Sequence, residues 1–137
     1  IRLLSHDGLA LYSELIETLS SLPAIYRQRA IKLAESCAGR GSEARFGLIL
    51  DLLEQFLARL AAAGIKGEPN AQGAAGEARL LARLSPNDHA AREWAKAAQT
   101  LGAIARRAKS VNLDPASLIL DMLLKIEVVA QSIADQR

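Results

Sequence analysis

The sequence predicts an all-α fold, a single-domain bundle of about five or six helices, on three observations. Half of its residues are hydrophobic, yet only 4% are aromatic, and Ala and Leu predominate. That mixture favours helices packed at close range over a β-sandwich. Apolar residues recur at helical spacing in successive segments. Between the segments stand residues that stop or start helices: Pro23, Gly39-Arg40-Gly41, Gly64, Ser85-Pro86 and Asn112-Leu113-Asp114-Pro115.

At 137 residues the chain is long enough for one domain with a sizeable core. Ile1–Leu4 reads as the last turn of a helix from a preceding module that the fragment lacks, and 5–137 as the helical domain. Ser5 or Asp7 can cap the first helix, about Gly8–Ser20, in which Leu11, Tyr12, Leu15, Ile16 and Leu19 share a face. Pro23 separates it from a helix at about Ala24–Ala38, with Tyr26, Ala30, Leu33, Ala34 and Cys37 on its apolar side. Ser42 caps a third helix, about Glu43–Ala63. Its broad apolar face carries Phe46, Ile49, Leu50, Leu53, Phe56, Leu57 and Leu60, and Gly64 fits its C-terminal stop. Residues 65–76, rich in Gly, Ala, Asn and Pro without a period, read as a flexible loop. A short helix follows at about Glu77–Leu84.

The next helix, about His89–Ser110, places Trp94, Ala97, Ala98, Leu101, Ile104 and Ala105 on one face. Trp94, Leu101, Phe46 and Phe56 are the expected core anchors. Asp114 caps the last helix, about Pro115–Ala134, and Pro115 fits its first turn because a proline there loses no helical hydrogen bond. Leu118, Ile119, Met122, Leu123, Ile126, Val129, Ala130 and Ile133 form its core face. A second apolar row, Leu120, Leu124 and Val128, lies on the far side. It calls for another helix of this domain or another subunit.

Catalytic patterns are sparse. No phosphate-cradling Gly-rich loop with its Lys is present. His6 and His89 have no carboxylate or Cys at metal-ligand spacing. Asp51 and Glu54 share a helix face, which solvation explains without a metal. Cys37 stands alone, so the chain has no internal disulfide, in keeping with a reducing cytoplasm. No apolar run reaches the roughly 18 residues that a membrane span takes. Net charge is +2, too small to argue for nucleic acid. One basic row, Arg92, Lys96, Arg106 and Arg107, lies opposite Trp94 and is the candidate for phosphate contact. A solvated face explains it too.

Several segments resemble a known family. Glu93-Trp94-Ala95, the basic residues running to Lys109, Val111-Asn112-Leu113-Asp114 and the apolar last helix look like the C-terminal end of the δ′ (delta-prime) subunit of the bacterial DNA polymerase III clamp loader, alphaproteobacterial type. Arg40-Gly41-Ser42-Glu43-Ala44-Arg45-Phe46, leading into Leu50-Asp51-Leu52-Leu53-Glu54, resembles the same subunit, as does Ile1-Arg2-Leu3-Leu4-Ser5. The resemblance implies a helical collar domain that associates with the collar domains of other loader subunits. It implies a cytoplasmic protein with no catalytic residue, cofactor, metal or small-molecule substrate in this region, and no membrane. Direct contact with nucleic acid is not expected. The family's trans-acting arginine and zinc-binding cysteines belong to modules that precede this region. Where the family's last helix usually begins with a basic or polar run, this chain has Pro115-Ala116-Ser117.

Overall fold

The computed structural model describes residues 6–67, 74–111 and 113–136. They form six α-helices with no strand: α1 (His6–Leu19), α2 (Arg27–Glu35), α3 (Glu43–Lys66), α4 (Glu77–Leu84), α5 (Asp88–Ser110) and α6 (Pro115–Asp135). The all-α class read from the sequence is therefore the observed one. The expected tail of a preceding module, 1–4, lies outside the described residues.

The most extensive contact joins α3 to α5. They run antiparallel: Gly64, late in α3, meets Asn87 and Ala91 at the start of α5, and Gly102, late in α5, meets Glu54. Around this pair one apolar core gathers from all six helices, including Tyr12, Leu33, Phe56, Leu81, Trp94, Leu101 and Met122. Trp94 is completely buried, and its indole N–H donates to the Leu84 carbonyl at 2.9 Å, satisfying its polar edge. Phe56 and Leu101 are buried as well, whereas Phe46 is only partly covered at the edge of the core. Its place near the start of α3, away from the central crossings, accounts for the difference.

Gly64 lies inside α3 rather than just after it, and the helix runs on to Lys66. Gly67 takes the terminal position instead, with φ +84°. The expected loop therefore begins two residues later than its sequence suggested; 68–73 lie outside the described residues, and Ala74 is already buried. The role of Gly64 is close approach. A Cβ there would stand 2.5 Å from the Asn87 carbonyl oxygen and 2.7 Å from Ala91 Cβ. One hydrogen bond ties the same crossing, Ser85 Oγ donating to the Leu60 carbonyl at 2.6 Å; beside it the Asn87 side chain caps α5 by accepting from Ala90 N–H at 2.9 Å.

The second helix is shorter than its periodicity suggested, starting at Arg27 rather than Ala24. The reason lies in α6. Glu127, a charged residue in the middle of α6, is 8% exposed and accepts the Ile25 N–H at 2.8 Å. Arg27 stands 3.7 Å from the same carboxylate. Ile25 is thus held to another helix, and the segment after the cis Leu22–Pro23 bond cannot join α2. Tyr26 becomes an extended N-cap residue, 53% exposed, with the Arg29 guanidinium over its ring, not part of the apolar face. Ser42 occupies the N-cap of α3 but its hydroxyl makes no capping bond. Asp114 does cap α6, accepting from the Ser117 hydroxyl at 2.5 Å and from Ser117 N–H at 3.2 Å. Those bonds hold its carboxyl below the usual aspartate range.

The two α3 glycines separate packing from propensity. Gly47 has open space where a Cβ would go. Gly47→Ala should stabilise the fold by about 0.5–1 kcal/mol, the helix-propensity difference. Gly64→Ala should instead destabilise by about 1–3 kcal/mol, because backbone and a packed methyl must move. Denaturant titration of both variants should give opposite signs.

Candidate functional site

Two kinds of feature are candidates: polar groups inside the bundle and apolar groups outside it. The most concentrated polar cluster is internal. Glu77, the first residue of α4, is fully buried and accepts the Tyr12 hydroxyl of α1. Arg59 of α3, whose side chain is only 11% exposed, places Nε 3.0 Å from the same carboxylate. Burial, reinforced by the Glu77 carboxylate, pushes the Tyr12 hydroxyl well above the ordinary tyrosine range. A phenol held neutral and donating to a paired carboxylate is a poor nucleophile and a poor acid. The cluster joins three helices, and its chemistry is structural. Sequence reasoning missed it because Tyr12, Arg59 and Glu77 lie far apart in the chain, and Arg59 is one of several charged residues along α3.

Elsewhere the titratable groups are scattered. Among the described residues no group of three or more His, Cys, Asp and Glu side chains is placed to hold a metal ion. His89 is exposed. Cys37 is buried, donates to the Leu33 carbonyl at 3.6 Å, and burial pushes its thiol pKa up, away from thiolate reactivity. An open polar depression of about 390 Å³ lies between α1, α2 and the start of α3. Its charges largely pair within it, Arg29 with Glu17 at 3.1 Å and Arg45 with Glu14 at 3.0 Å.

The basic row of α5 is exposed at all four positions, Arg92, Lys96, Arg106 and Arg107. Its charge is partly spent at home. Lys96 binds Glu93 at 2.9 Å and, as the leading cause, holds that carboxyl below its usual range. The Arg106 guanidinium and the Glu54 carboxylate both lie over Gly102.

The outer side of α6 is different in kind. Leu120 and Leu124 are half-covered, packed against the core edge, and Val128 is 64% exposed. The row is therefore shared between the domain and the surface, where the sequence left both alternatives open. Beside Val128 an open groove of about 340 Å³ runs between α5 and α6, floored by Ala97, Leu101 and Val129. Glu93, Lys96 and Lys125 rim it. On the same edge Lys125 binds Asp121 at 2.9 Å. An apolar strip with balanced charges along its rim is suited to receiving another helix. Val111 and Leu113, at the α5–α6 joint, add further exposed apolar surface. No helix among the described residues is long and apolar enough to cross a membrane.

The neutral Tyr12 gives a test by pH. Its raised pKa means that stability is intact below about pH 10, the unfolded tyrosine value, and falls as pH rises beyond it. Phenolate absorbance from Tyr12 should then emerge together with loss of helicity, and Tyr12→Phe should remove that component. Ionisation of Tyr12 in a chain that keeps its full helical signal would contradict the buried pairing.

No family model, curated protein or solved structure matches the chain.

Proposed function

We propose that the chain is a non-catalytic subunit-association domain, the collar region of a δ′-type subunit of a bacterial DNA polymerase III clamp loader, and that it supports loading of the sliding clamp in DNA replication. The observation that carries this reading is the apolar row on the outer side of α6, with Val128 exposed beside the α5–α6 groove. The sequence resemblance supplies the class of partner, the collar domains of other loader subunits. The role is mechanical: to hold one subunit in its place.

Val128 is the better probe of this surface than the half-covered Leu124. Val128→Glu should leave the isolated domain's thermal stability within about 0.5 kcal/mol, because the charge stays in water. In a reconstituted loader the same carboxylate would be desolvated without a partner, at a cost of several kcal/mol, and the subunit should be lost from the complex. Normal retention would place the interface elsewhere.

A second reading is a helical nucleic-acid-binding module acting through Arg92, Lys96, Arg106 and Arg107, favoured by the exposure of all four on one helix. The local pairing of Lys96 and the position of Arg106 beside Glu54 weigh against it. Titration with duplex DNA at low and moderate salt separates the two. The association reading expects little binding at either; strong binding that falls steeply with salt, and is lost in Arg92→Glu and Arg107→Glu, would favour the second.

A further inference from the structure

We propose that Glu127 is the positioning residue of the association surface: its buried carboxylate sets the angle at which α6 lies in the bundle, and so which side of the helix is offered to a partner. The inference rests on the association reading and names what presents that surface. From Leu118 to Ala130, α6 carries only three polar residues, Asp121, Lys125 and Glu127. The others are apolar, on the inner face and on the outer row alike. Hydrophobic burial alone therefore discriminates weakly between neighbouring angles of the helix. Asp121 and Lys125 bind each other at 2.9 Å within α6. That bond survives any turn of the helix, so it favours a wet edge without fixing the angle.

Glu127 is bound to a different element. Its carboxylate accepts the Ile25 N–H at 2.8 Å, with Arg27 3.7 Å away. Both residues of that hydrogen bond are buried. Ile25 precedes α2, so no carbonyl of that helix takes its N–H. Turning α6 away would strand a buried donor and a buried carboxylate together, and each carries a penalty. Arg83 of α4 secures the same connection from its other end, donating to the Leu22 carbonyl at 3.2 Å, which makes Ile25 a fixed reference for α6. Successive helical residues stand about 100° apart. A turn by one residue would bring the exposed Val128 into the place of Glu127 and close the outer side. The carboxylate thus contributes uniqueness of packing rather than net stability.

Thiol labelling of the full 137-residue chain reads the angle of α6 directly. Val128→Cys places a thiol at an exposed position and Ala130→Cys at a buried one, while the buried Cys37 reports unfolding. With Glu127 in place, the thiol of Val128→Cys should react at least about tenfold faster than that of Ala130→Cys. Glu127→Gln keeps a carbonyl oxygen for the Ile25 N–H and should preserve that ratio. Glu127→Leu should still melt cooperatively, yet bring the two rates to within about threefold of each other. The same chain should be poorly retained in a reconstituted loader. Three results overturn the proposal: a Glu127→Leu chain that keeps the ratio, a Glu127→Leu chain without a cooperative melt, or a Glu127→Gln chain that behaves as Glu127→Leu does. A ratio that collapses only in Glu127→Leu, with normal retention in the loader, upholds the positioning role and overturns the association reading instead.

Discussion

The close contact of α3 with α5 is the constraint to which the other helices answer. At Gly64 the two helices come near enough that no Cβ fits between them. That closeness brings the end of α4 over the crossing, where the Leu84 carbonyl meets the Trp94 indole and Ser85 reaches Leu60. Alanines on the inner side of α5 serve the same end, since Ala90, Ala91, Ala97, Ala105 and Ala108 are all buried. Small residues allow short interhelical distances, and one large ring then fills the space that remains. The low aromatic content follows from this geometry.

Two buried carboxylates determine how the shorter helices dock on that pair. Glu77 brings α4 to α1 and α3, and Glu127 fastens the segment before α2 to α6. Arg83 supplements them, donating to the Ser20 and Leu22 carbonyls at the end of α1. Buried ion pairs give little net stability, because desolvation offsets most of their attraction. They act instead by penalising every arrangement that leaves them unpaired. Leucine-rich faces would pack in many ways, and in this bundle the polar contacts select one.

Helix number and the span of α4 and α6 were legible in the sequence because strong period and explicit stops coincide there, as at Asp114-Pro115. The end of α3 was not. A glycine in a helix interior and a glycine after a helix look alike until the neighbouring helix is known. Nor was the start of α2, since nothing near Ile25 announces a partner in the last helix. Glu77 and Glu127 escaped for the same reason: a charged residue's burial depends on what packs over it, and that is a tertiary fact. The outer row of α6 was visible as a surplus of apolar residues over what one face uses. Its division into half-covered Leu120 and Leu124 and exposed Val128 was not.

The tie between Ile25 and Glu127 spans 102 positions of the chain. Such a contact closes a long loop, and the entropy of that closure must be met before the contact returns anything. Helix α2, nine residues long, is too short to persist without support. Its ordering therefore waits on the arrival of α6, and this early segment becomes native only once the last helix has docked. During synthesis α2 would emerge early and remain unsettled until the last helix is made, whereas α1 finds its partners in α3 and α4. Loss of the final turns of α6 would thus be felt at Pro23–Arg27, at the opposite end of the sequence.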